Sequence, residues 1–151
     1  MPHIFVRGGA KGFTVSGMTK NGNQTTAGGA SGSRKDVINW TADPGSTVTA
    51  NALIVSGPKT NATISGQIRL TTNAVTATYL TPYLLVNGVL VKTGTTLLVD
   101  AETKNVPVSV TYTVAAGDAV KLQYSNEDRD SGIPAAGDTI VAGSLTFLRV
   151  T

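Results

Sequence analysis

Apolar and polar positions alternate along much of this chain with a period of two, and no window sustains the 3.6-residue repeat of an amphipathic helix. Val106, Val108, Val110, Tyr112 and Val114 alternate with Ser109, Thr111 and Thr113, which puts one face in a core and leaves the other polar. Pro107 cannot donate to a ladder, so this strand is expected to begin at a sheet edge. The run Leu84-Leu85-Val86-Asn87-Gly88-Val89-Leu90-Val91 predicts a hairpin, because Asn-Gly readily takes the two positive-φ positions of a type I′ turn. Val37-Ile38-Asn39-Trp40 predicts a strand that runs into a turn at Asp43-Pro44-Gly45. Ser46 to Val55 reads as the next strand, ended by Ser56-Gly57-Pro58, with Asn61 to Leu70 pairing back onto it. Ala116-Gly117-Asp118 turns the chain into Val120, Leu122 and Tyr124, and Thr139 to Thr151 reads as the last strand. Tyr112 and Tyr124, on alternating strand faces, are expected in the core.

The first 36 residues read differently. Ile4-Phe5-Val6 leads through Gly8-Gly9 to Phe13-Thr14-Val15, and Gly17 to Ser33 is then almost wholly small or polar. Such a stretch buries little by itself and loses much backbone entropy on ordering. It is read either as a flexible tail or as an extended arm that orders against a neighbouring subunit, and its apolar anchors favour the arm. The expected division is a glycine-rich, basic arm at residues 1–36 and a β-sandwich at residues 37–151. The residues expected to carry attachment are Ile4, Phe5, Val6, Arg7, Lys11, Phe13, Lys20, Arg34 and Lys35.

Composition supports an all-β fold. Threonine and valine are abundant, and both pack well on a pleated surface while losing rotamer freedom in helices. The 151 residues fit one domain, and 40% hydrophobic residues exclude disorder along the whole chain. Charged residues make up only 14%, against about 25% in an average soluble protein, so the surface must be largely neutral and polar. There is no cysteine, which removes disulfides, thiolate metal sites and cysteine nucleophiles. The N-terminus does not read as a secretion signal and no stretch approaches the ~20 apolar residues of a membrane span, so a soluble protein made in a cytoplasm is expected. Net charge is +3, with seven Lys or Arg against two acids in residues 1–75 and five against seven in residues 76–151. Those basic residues stand singly among glycines and aromatics are only 5%, a poor match to the stacking platforms of nucleic-acid binders. An acidic protein surface suits them at least as well.

Eight or more short strands with no helix to cover a sheet face predict two sheets packed on each other. Gly117-Asp118-Ala119-Val120-Lys121-Leu122-Gln123, followed by the closing strand Ser144-Leu145-Thr146-Phe147-Leu148-Arg149-Val150-Thr151, resembles the end of a tumour-necrosis-factor or complement-head-like jelly roll. The Leu84–Val91 hairpin and the pattern from Asn51 to Ile64 are similar to jelly-roll domains in structural proteins of tailed phages infecting actinobacteria. The resemblance covers roughly residues 37–151 and implies a homotrimer displayed on a particle. Residues 1–36 do not match it.

Catalytic chemistry finds little support. His3 is the only histidine and stands near the terminus, no Gly-x-Ser-x-Gly occurs, and neither Gly12/Gly17 nor Gly132/Gly137 is followed by the lysine of a phosphate loop. The acidic run from Asn126 to Gly132 lacks the spacing of a helix-loop-helix calcium site and reads as a solvated loop. No two carboxylates are nominated for glycosidase chemistry. Trp40 is the one tryptophan, a core or interface anchor before it is a platform for a sugar ring. Tyr79, Tyr83, Tyr112 and Tyr124 would be the residues to line a glycan groove or a threefold axis.

The functional expectation is therefore a non-enzymatic protein of a phage virion, made in the host bacterium and assembled on the particle exterior. It would be a homotrimeric capsid decoration or minor tail protein held by its N-terminal arm, three arms acting together at high effective concentration. The expected partners are further copies of the chain and phage capsid or tail proteins, without cofactor, nucleic acid or membrane. The alternative is a carbohydrate-binding module contacting host surface glycans.

Overall fold

A computed structural model describes residues 12–27, 32–72, 77–131 and 137–151. In chain order its strands are β1 (Ser16–Lys20), β2 (Gln24–Thr25), β3 (Lys35–Asp36), β4 (Trp40–Ala42), β5 (Thr47–Thr49), β6 (Ala52–Ile54) and β7 (Lys59–Thr71). They continue with β8 (Thr78–Val86), β9 (Val89–Thr93), β10 (Leu97–Val99), β11 (Thr103–Val114), β12 (Ala119–Asp128), β13 (Thr139–Ile140) and β14 (Gly143–Val150). Two antiparallel sheets result. Sheet A runs β4-β1-β14-β7-β11, with β13 joining the far end of β7 and β2 joining β13. Sheet B runs β5-β6-β12-β8, with β9 and β10 on the free side of β8 and β3 beside β12.

Period-two alternation decides which side chains meet between the sheets. Ala62, Ile64, Ile68 and Leu70 of β7, Val106 and Val108 of β11 and Leu148 and Val150 of β14 supply one wall. Leu80, Leu84 and Val86 of β8 and Val120, Leu122 and Tyr124 of β12 supply the other. At about 25 cal/mol per Å2, burial of such side chains is worth roughly 1.5–3 kcal/mol each and is the main force holding the sheets face to face. Pro107 lies on β11, which pairs only with β7, so the expected edge position is observed. The alternation on β11 fades at its end, where Val110 is half-buried and Tyr112 is 37% exposed rather than in the core. The register shifts between Tyr112 and Val114, and Val114 is buried in the core again.

Four expectations about the strands are corrected. Val37 to Trp40 is not one strand: residues 37–39 link β3 to β4, with Asn39 at φ 62°. Ser46 to Val55 is two strands, because Ala50 (φ 48°) and Asn51 (φ 61°) form a tight turn that joins β5 to β6. β7 pairs with β11, β13 and β14 rather than with its predecessor, so it belongs to the opposite sheet. The last strand is broken after Ile140, where Gly143 (φ 104°) turns the chain into β14.

The boundary at 36/37 is also corrected. β1 lies between β14 and β4 in the body of sheet A, Met18 is completely buried, and β3 pairs with β12 through Lys35 and Asp36. The sandwich therefore begins no later than Ser16. Short segments with few apolar residues are ordered here by ladder partners far away in sequence.

The Asn87-Gly88 turn is as expected, with φ of 52° and 80°. Asn87 also ties it to the neighbouring loop, its Nδ2 donating to Asp118 Oδ1 (2.8 Å) and its Oδ1 accepting from Ala119 N (2.9 Å). A side chain at Gly88 would meet nothing within 4 Å, so only the backbone conformation resists substitution. Gly88→Val should lower stability by about 1–3 kcal/mol, measured by denaturant unfolding, because a β-branched residue is strained at positive φ.

Candidate interaction surfaces

The residues expected to carry attachment separate. Ile4, Phe5, Val6, Arg7 and Lys11 lie outside the described residues, as does His3. Phe13 is half-buried against the core with the Lys59 ammonium 4.7 Å from its ring centroid, and the adjacent Thr14 amide donates to Ser56 Oγ (2.9 Å). Lys20 points into the sandwich, only 2% exposed, and its Nζ donates to the Ile38 carbonyl (2.6 Å). Lys35 on β3 donates to the Ala27 carbonyl and to Asn126 Oδ1 (3.3 Å), near the Tyr124 ring. The Arg34 guanidinium sits 5.8 Å from the Tyr83 ring centroid. Different elements hold these groups, and they do not form one basic patch. Trp40 behaves as an anchor: it packs against the core, and its indole Nε1 donates to the Val37 carbonyl (2.8 Å).

Burial lowers the Lys20 pKa to about 8, and it lowers that of Lys35 as well. Between about pH 8 and the ordinary lysine value near 10.4 the unfolded chain holds a proton on Lys20 that the folded chain has released, so stability should rise with pH across this window. The gain cannot exceed about 1.4 kcal/mol per pH unit. Burial raises the Tyr124 pKa, which acts in the opposite direction once pH passes the ordinary tyrosine value near 10, so pH 8–10 is the clean interval. Denaturant unfolding at pH 8 and pH 10 should show the wild type gaining about 1 kcal/mol or more, and Lys20→Met losing most of that gain.

Two outward surfaces stand out. On sheet A the side chains that alternate with the core include Ser65 and Gln67 of β7, Ser109 and Thr111 of β11 and Leu145 and Phe147 of β14. They form a neutral area in which Leu145 is 41% exposed, with Arg69 of β7 and Arg149 of β14 on the same face beside it. Arg149 bounds it, its guanidinium 4.7 Å from the Phe147 ring centroid and its Nε 3.8 Å from Asp43 Oδ2.

On sheet B a depression of about 490 Å3 is lined by Arg34, Leu85, Asn87, Gly88, Ala119, Lys121 and Gln123. Asp36 organises its rim: one carboxylate oxygen accepts from Lys121 Nζ (2.7 Å) and the other from Gln123 Nε2 (2.6 Å). These residues come from three separated segments, so nothing in the sequence groups them.

The acidic run holds itself together instead of presenting a cluster. Asp128 Oδ1 accepts from the amides of Asp130 and Ser131, and Arg129 bridges Asp100 and Asp130. Among the described residues no group of three or more His, Cys, Asp and Glu is placed to hold a metal ion. The tyrosines do not share a groove: Tyr124 is in the core, while the Tyr83 hydroxyl bonds to Ser125 Oγ (2.9 Å) on the face of sheet B.

No protein-family model and no curated protein sequence matches the chain. Solved structures do. An Eiger TNF from S. frugiperda superposes with a TM-score of 0.60 at 11% identity, covering 93% of this chain and 92% of that one. Murine APRIL superposes with TM-scores of 0.54 at pH 8.0 and 0.56 at pH 5.0, at 13% and 10% identity, each covering 91% of this chain and 97% of that one. Identities this low carry fold alone, and that fold accords with the two antiparallel sheets found here. The chain is an all-β protein with the jelly-roll sandwich of TNF-like proteins.

Proposed function

We propose that this chain is a non-enzymatic structural protein that assembles as a homotrimer on the exterior of a tailed-phage particle, as capsid decoration or as a minor tail protein. The observation that carries self-association is the outer face of sheet A. Interface cores are depleted of charge and enriched in aromatic residues, and this face presents Phe147 and Leu145 among neutral Ser, Thr and Gln side chains. Its centre is neutral, so covering it with another copy carries little electrostatic cost there, while Arg69 and Arg149 stand at its margins on the same face. A ring of three closes through a heterologous contact, in which this face of each copy meets a neighbouring surface of the next. The non-enzymatic reading rests on the sequence, whose single histidine and absent motifs nominate no catalytic group.

The particle assignment rests on the phage resemblance of the Leu84–Val91 hairpin and of the pattern from Asn51 to Ile64. Because Phe13, Lys20 and Lys35 are held within the sandwich and Arg34 is exposed on the sheet B face, the attachment function contracts to Ile4, Phe5, Val6, Arg7 and Lys11. Particles that lack the protein should take up the full chain and fail to take up a chain without residues 1–11. Equal uptake of both would place attachment on the sandwich itself, and uptake of neither would remove the particle assignment.

A further inference from the structure

We propose that the depression on the outer face of sheet B binds the acidic residue of a saccharide, a sugar ring bearing a carboxylate. Its volume, about 490 Å3, lies within the roughly 300–1,000 Å3 of small-ligand sites. Arg34 is the anion-binding group: its guanidinium has no carboxylate partner among the described residues, whereas the Lys121 ammonium is already neutralised by Asp36. A planar guanidinium meets a carboxylate through two parallel hydrogen bonds, which suits Arg34 to a carboxylate more than to a diffuse negative surface.

The remaining lining fits the rest of a sugar. Leu85, 4% exposed, offers a small apolar contact at the base, and Gln123, whose amide nitrogen is committed to Asp36, keeps its carbonyl oxygen to accept a ring hydroxyl. Asp36 and Asp118 hold Lys121, Gln123 and Asn87 in fixed positions before any ligand arrives, so little side-chain freedom is lost on binding. The site is on the sheet opposite the proposed self-association face and depends neither on assembly nor on the particle. Trp40, the obvious sugar platform in the sequence, is not part of it.

Titration of the isotopically labelled full chain with glucuronate, followed by amide NMR, tests this. Shifts should concentrate at Asn87, Gly88, Ala119, Lys121 and Gln123. Glucose, which lacks the carboxylate, and acetate, which lacks the ring, should each bind about tenfold more weakly or worse. Arg34→Gln should weaken glucuronate binding by about tenfold or more while leaving the melting temperature and the remaining spectrum unchanged. Absent shifts, shifts centred elsewhere, or undiminished binding by a folded Arg34→Gln chain would overturn the proposal. Acetate binding as tightly as glucuronate would overturn the saccharide assignment.

Discussion

A chain beginning at Val37 should fail to fold. It lacks β1, which pairs with β14 on one side and β4 on the other, and it lacks Met18, which is completely buried between the sheets. It also lacks Lys35 and Asp36, which pair with Tyr124 and Gln123 of β12. Losing one buried methionine costs about 2–5 kcal/mol, and stripping the inner edges of two strands leaves backbone groups without ladder partners. Together these losses rival the roughly 5–15 kcal/mol that holds an ordinary domain folded. The expected result is an insoluble chain or one without a cooperative melting transition. A chain beginning at Gly12 keeps every described strand and should melt cooperatively, near the full-length protein. Calorimetry of the two truncations separates a sandwich that starts by Ser16 from one that starts at Val37.

The second large effect is expected at Gly66. This residue lies in the middle of β7 facing Leu148 on β14 and Val108 on β11, and its missing side chain points at the opposite sheet. A Cβ there would stand 2.9 Å from Leu122 Cδ1 and 3.4 Å from Leu84 Cδ2. Both contacts are the far ends of leucine side chains, which can turn aside for a single methyl group. Gly66→Ala should therefore change stability by less than about 1 kcal/mol, since the relief of glycine's backbone entropy offsets the crowding. Gly66→Leu adds three more carbons to a space already filled and should cost about 3 kcal/mol, visible as a lower denaturant midpoint. A neutral Gly66→Leu would mean that the sheets are not in contact at the centre of β7.

The sequence was legible where local chemistry decides structure. Asn87-Gly88 specifies its turn through two residues that tolerate positive φ, and Val120, Leu122 and Tyr124 announce a buried face by their spacing. It was opaque where distant partners decide. Ser-Gly-Met-Thr-Lys offers one large apolar residue, and only its two ladder neighbours make it a strand in the body of a sheet. The turn at Ala50-Asn51 was hidden because alanine seldom takes positive φ. Lys20 read as an exposed arm charge because lysine is rarely buried; its alternation with Ser16 and Met18, which also face inward, was the available signal. The depression on sheet B unites residues from three segments and had no signature in any one of them.

Self-association through the outer face of sheet A is the central claim, and the mass of the full chain in solution tests it most directly. Sedimentation equilibrium over a wide concentration range should give about three times the chain mass of 15.5 kDa. A single species at 15.5 kDa, unchanged with concentration, would contradict it.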